Sequence, residues 1–294
     1  MKRNIKKFLF PAVAVAVLSF AACSDWTETE SLDINYPTLE EQNPELYKQY
    51  LKALRDYKAG EHKVDLVSMD NTTSAPAQRN EHLTTMPDSV DIICLMNPDD
   101  LHPTLAGEFA KVREKGTRVI YNIDYNAIEK LWEKVLADEE ANKPEEPTNP
   151  STPEATQDEG GEGGGEGEPT PEEELELRFL EFCRQQTVSQ LNLCAKYGYD
   201  GVQVNYTGRA PQAMQEEEKA QYAARQEAFF SNVKTWNEAN SGKVLVFQGN
   251  PQNLIDKSVL GECDYIVIPA LTATSADKMS FAVLMAAVED VPTD

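Results

Sequence analysis

Six short apolar runs, each followed by a longer amphipathic stretch, constrain this chain more than anything else in it. They occupy residues 64–69, 90–96, 118–123, 201–206, 243–248 and 264–268. Runs this short and this rich in Val, Ile and Leu read as strands buried on both faces, which is the pattern of a parallel sheet. Parallel strands need crossovers, and the intervening segments supply them. Phe109 and Val112 mark one crossover helix, and Tyr222, Phe229, Val233 and Trp236 recur at helical spacing in another. The alternation predicts an α/β fold. Consecutive units of this kind suit a (β/α)8 TIM barrel, which takes about 250 residues when complete. Against eight units the chain shows about six, so the expectation is a barrel incomplete at its C-terminus. An open barrel would leave bare sheet edges, which proteins normally avoid.

A helix precedes the first strand. Leu46, Tyr47, Tyr50, Leu51, Leu54 and Tyr57 recur on one stripe, Gly60 is placed to end it, and the stripe is expected to pack into the core. Trp132 and Trp236 sit in helical patterns and are expected in the outer layer, whereas Trp26 precedes the fold.

The N-terminus reads as a targeting segment. Lys2, Arg3, Lys6 and Lys7 form a basic region, and residues 8–20 form an apolar stretch too short to span a bilayer as a mature helix. Phe20-Ala21-Ala22-Cys23 then offers small residues just before a cysteine, so lipidation at Cys23 is expected, with an ordinary secretory signal as the alternative. Residues 1–22 are accordingly the signal, 23–36 an acidic tether and 37–294 the barrel. Residues 138–171 interrupt it. They carry Pro144, Pro147, Pro150 and Pro153, many glutamates and a run of glycines, and almost nothing that can be buried, so this insert is expected to be a disordered acidic loop.

The formal net charge is −23 over 294 residues. A surface that acidic repels nucleic acid and anionic membranes, which leaves a lipid anchor as the membrane contact, and it does not repel neutral glycans. Cys94, Cys183, Cys194 and Cys263 show no CxxC spacing, and His62, His82 and His102 are scattered, with solvated or helix-end roles expected. No metal site and no cofactor is expected. Cys94 and Cys263 lie in apolar runs and read as buried thiols.

The segment Tyr199-Asp200-Gly201-Val202-Gln203-Val204-Asn205-Tyr206-Thr207 reads as a barrel strand, and barrel sites form where such strands end. It resembles the DGxDxDxE signature of glycoside hydrolase family 18, with Gln203, Asn205 and Thr207 in three of the acidic positions. Residues 86–93, the ending 288–294 and the tether Ser24-Asp25-Trp26-Thr27-Glu28-Thr29-Glu30 resemble family 18-like lipoproteins of Bacteroidota glycan-utilisation systems, in which an acidic tether accompanies surface export. In active members the last Glu of the signature protonates the glycosidic oxygen and the Asp before it orients the substrate's acetamide, a substrate-assisted variant of carboxylate chemistry. Here a neutral hydroxyl (Thr207) and a neutral amide (Asn205) stand in those places. A SxGG-like end to the third strand is replaced by Tyr121-Asn122-Ile123-Asp124-Tyr125, and a Tyr-Asp pair near the end of the sixth by Ile268-Pro269-Ala270-Leu271. The resemblance implies the fold without the usual catalytic set.

Polar residues at the strand ends form the candidate binding ring: Asp70, Asn122, Asp124, Tyr125, Asn205, Tyr206, Gln248 and Asn250. Amides, carboxylates and tyrosines suit sugar hydroxyls, although turns also favour polar residues. The resemblance implies a surface-tethered outer-membrane lipoprotein that binds N-acetylglucosamine-containing oligosaccharide without cleaving it, beside glycan-uptake proteins. One alternative is a hydrolase with a displaced acid, Asp124 or Asp70. The other is a structural or protein-interaction lipoprotein.

Overall fold

The computed structural model describes residues 37–71, 74–143, 169–288 and 291. The signal, Cys23, the tether, residues 144–168 of the insert and most of the 288–294 ending lie outside the described residues. The chain divides into two units at Tyr50 and Leu51. In the first, Thr38 and Glu41 form a capping box that starts the short helix α1 (Leu39–Gln42). Helix α2 (Pro44–Ala59) begins there and runs across the boundary.

The second unit is a strand–helix alternation. Strands β1 (Leu66–Met69), β2 (Ile92–Leu95), β3 (Arg118–Asp124), β4 (Gly201–Tyr206), β5 (Val244–Gly249) and β6 (Tyr265–Val267) pair in parallel in strict chain order. Helices α3 (Pro103–Glu114), α4 (Tyr125–Ala141), α5 (Pro171–Tyr197), α6 (Glu216–Ala239) and α7 (Ala276–Ala286) accompany them. A doubly wound open sheet reverses its strand order at a switch point. This sheet never reverses, so every crossover winds the same way, as in a barrel wall. Among the described residues no helix is long and apolar enough to cross a membrane.

The pleat sorts side chains into two cores. Ile92, Cys94, Ile120, Val244 and Val246 form the inner-face cluster. Ile93, Leu95, Tyr121, Ile123, Val202, Val204, Tyr206 and Phe247 pack with the helices on the outer face. Trp132 joins that outer layer against Phe179 and Phe182, with ring centroids 6.1 and 5.2 Å away. Cys94, Cys183, Cys194 and Cys263 are free and buried, and burial pushes the Cys94 and Cys263 thiols up to about 12. The stripe on α2 departs from expectation: Leu51 is buried, but Tyr57 is exposed and lies against the His62 ring instead. Residues 138–141 of the expected insert continue α4, and Thr170 caps α5 through Glu173, so the helices reach into both ends of the insert.

Each even-numbered strand is entered through an aspartate that grips the strand before it. Asp91 N–H donates to Asp65 O, and its carboxylate accepts Asp65 N–H at 2.8 Å. Asp200 repeats this with Val119 (2.7 and 2.8 Å), and Asp264 with Leu245 (2.8 and 2.9 Å). The carbonyls of Asp91 and Asp200 then accept the first N–H groups of β3 and β5. Asp200 also receives Arg113 Nε on both oxygens at 3.0 Å, which ties α3 to the sheet. The next residue, Gly201, has no room for a side chain, since a Cβ would lie 2.1 Å from Val244 O.

His62 sits beneath the sheet and is not solvated. Its Nδ1 lies 2.8 Å from Gly60 O and its Nε2 2.9 Å from Asp91 Oδ1. Both partners are acceptors, an arrangement that favours the protonated ring, in which both nitrogens donate. The Gly60 carbonyl first, and the Asp91 carboxylate next, hold its pKa above 6.5, against burial and Lys58. His102 has a helix-end role, accepting Thr104 N–H at the start of α3.

Two outcomes are expected. Asp200→Ala should cost about 2–3 kcal/mol, because a charge-assisted acceptor is lost, Val119 N–H is left unpaired and Arg113 keeps only the Gly198 carbonyl as a hydrogen-bond partner; denaturant melts against wild type measure it. Because the folded-state pKa of His62 is raised, its stabilisation is complete below about 6.5 and fades as pH rises through the folded value. Melting curves from pH 6 upward should therefore show a decline that His62→Gln removes.

Candidate functional site

The inner face at the C-terminal ends of β3, β4 and β5 carries a cluster of amides. Asn122 pairs in register with Gln203, and Asp124, Asn205 and Gln248 form the next row. Gln203 is fully buried and donates from Nε2 to Asn122 Oδ1 at 3.1 Å and to Gln248 Oε1 at 2.7 Å. Its own Oε1 is buried without a partner. Asn205 is half-buried beside this row. Thr207 lies just past β4, exposed, with its hydroxyl accepting Asn126 Nδ2 at 3.3 Å. Its carbonyl accepts Asn250 Nδ2 at 3.1 Å and Asn253 Nδ2 at 2.8 Å. The three positions expected to carry acids thus present two amides and one alcohol.

Asp124 is the nearest carboxylate in this row. It caps α4, accepting Asn126 N–H at 3.0 Å, and burial raises its pKa, opposed by that N–H and by Lys130. Asn97, Asn122, Asp124, Ile128, Gln186 and Gln190 line a cavity of about 500 Å3 beside β2 and β3. This opening joins polar strand ends to the flank of α5.

Not all the sequence-derived ring assembles. Asp70 lies at the end of β1, with β2 and β3 between it and β4, and it accepts Asn97 Nδ2 at 2.7 Å. Tyr125 and Tyr206 face the other way. Their rings meet at 4.9 Å in the helix-facing core, both are buried, and desolvation pushes both hydroxyls up. Tyr206 O–H accepts Gln226 Nε2 at 3.0 Å, and that glutamine also donates to Asn253 O and accepts Ile255 N–H. Asn205 and Tyr206 are neighbours on one strand, so they cannot both face inward.

Asp200, the surviving acid of the motif, belongs to the opposite end of β4 and serves the sheet entry described above. Asn126, Asn253, Gln186 and Gln190 were not legible as site residues. Asn253 follows a Pro-Gln pair in a loop, and the two glutamines lie four apart on one helix, a spacing that places them on a shared face. Among the described residues no three His, Cys, Asp or Glu side chains group as a metal would require.

No curated protein matches the sequence. Among solved structures, BT1044, as a selenomethionine glutamate-to-glutamine variant, is similar with a TM-score of 0.52 at 16% identity, over 86% of this chain and 71% of that one. The likeness carries the fold: six parallel strands curled with their helices as part of a TIM-like barrel. The glycoside hydrolase domain of PelA from Pseudomonas aeruginosa is similar with a TM-score of 0.37 at 13% identity, over 79% of this chain and 82% of that one. The family described as glycoside hydrolase family 18, BT1044-like, matches residues 27–158 and 172–293, and the chain belongs to it.

Proposed function

We propose that this protein binds carbohydrate at the strand-end site and does not hydrolyse it, with an N-acetylglucosamine-containing oligosaccharide as the ligand. Family membership supports a carbohydrate ligand. The observation that carries the non-catalytic reading is the row of neutral groups where the family motif has acids: Gln203 locked between Asn122 and Gln248, with Asn205 and Thr207 above it. None of these three titrates near neutrality, and general acid catalysis is worth roughly 10²–10⁴-fold in rate. Amides remain good partners for sugar hydroxyls. The signal anatomy and acidic tether support a lipid anchor at Cys23 and a place on the outer membrane, near glycan-uptake proteins.

A second reading has one observation in its favour. Burial raises the Asp124 pKa, the direction a general acid needs, and Asp124 shares a register row with Asn205. Against it, the carboxylate is engaged in capping α4.

Incubation with chitooligosaccharide or an N-glycopeptide should release no new reducing ends, while calorimetry detects binding. Turnover that disappears in Asp124→Asn, a change that keeps a capping side chain, would establish the displaced-acid reading instead. Combining Asn205→Asp with Thr207→Glu should give weak hydrolysis where wild type gives none, read by the same assay.

A further inference from the structure

The three amides at the strand ends form a chain with a direction. Gln203 is its middle member and uses Nε2 toward both neighbours, at 3.1 Å to Asn122 Oδ1 and 2.7 Å to Gln248 Oε1. A primary amide has one acceptor oxygen and one NH2 group. With their oxygens committed to Gln203, Asn122 and Gln248 have their NH2 groups left to offer. Among the described residues neither NH2 group has a hydrogen-bond partner.

Two polarities of this chain are self-consistent. In one, the middle amide donates to both neighbours and the outer amides offer donors. In the other, the middle amide accepts from both and the outer amides offer acceptors. The structure holds the first. Gln203 cannot reverse alone, because its oxygen would then meet two carbonyl oxygens. Its buried Oε1 remains unpartnered in the observed state. The contrast with Gln226 is informative: that glutamine is also buried, but both its ends are bonded, to Tyr206, Asn253 and Ile255. Gln226 holds loops together, whereas Gln203 orients two groups, one of which, Asn122, lines the adjoining cavity.

We infer that Gln203 is a positioning residue that sets the hydrogen-bond polarity of the strand-end site, making it a donor surface that recognises a ligand through its acceptor oxygens. This rests on the binding reading above and adds which side of the ligand is recognised. Acetamido carbonyls and ether or hydroxyl oxygens satisfy such a surface. A ligand that presents only donors, such as a free ammonium group, does not.

The test measures calorimetric affinity for two probes, fully N-acetylated chitotriose and its fully deacetylated form, on wild type and two variants. Gln203→Met adds no charge but removes the double donor, so Asn122 and Gln248 are free to turn. The ratio of affinities, acetylated over deacetylated, should fall at least fivefold. Asn122→Asp keeps an acceptor for Gln203 and replaces the outward NH2 with an oxygen, so the ratio should fall tenfold or more, in a protein whose melting temperature is lowered by the buried carboxylate. If Gln203→Met does not fold, Asn122→Asp decides the matter. Wild-type affinities and an unchanged ratio in the folded variants would overturn the inference while leaving the binding reading intact. A wild-type protein that binds neither probe would remove the binding reading itself, and the inference with it.

Discussion

The structure depends on how its parallel strands are started. A parallel ladder has no hairpin to set its register, so something at the strand entry must do so. Here three aspartates fill that role. Asp91 exchanges a backbone bond and a carboxylate bond with Asp65, just before β1, and Asp200 and Asp264 do the same with one residue of the preceding strand. A slip of one residue would turn every inward side chain outward. The aspartates therefore decide, from the far end of the sheet, that Gln203 and Asn205 face inward and Tyr206 does not. Arg113 on Asp200 extends the same grip to the helix layer.

This separates the two halves of the β4 motif physically. Asp200 and Gly201 are foundations, one as a clamp and the other because β5 passes too close for a Cβ. Gln203, Asn205 and Thr207 are at the other end, where no fold requirement dictates an acid. A chain can exchange those three for neutral groups and keep the sheet, and a buried amide row costs less to desolvate than buried carboxylates would. Gly249 works like Gly201. Its backbone at φ 145° passes so close to Tyr206 that a Cβ would fall 1.8 Å from that carbonyl, which keeps the β4 and β5 ends together and their side chains in one cluster.

The fold was largely legible in the sequence because strands buried on both faces read as unbroken apolar runs, and all six ended within two residues of their expected positions. The first two began two residues late, at Leu66 and Ile92. The clamps themselves were visible as an aspartate directly before alternate strands, yet an isolated aspartate looks like ordinary turn chemistry. The site was only partly legible. Composition marked polar strand ends, but the choice of face follows a two-residue period, and on that ground Tyr125 and Tyr206 belong to the helix-facing core. The α2 stripe misled for a different reason: periodicity shows that a helix has an apolar side without showing what covers it.

The four sealed thiols carry a consequence of their own. With a pKa of about 12, Cys94 and Cys263 hold on the order of one thiolate in 10⁵ at neutral pH, and the thiolate is the species that attacks disulfides and oxidants. Burial removes access as well. Once folded, this barrel wall offers, among the described residues, no exposed sulfur at which a cross-link could form.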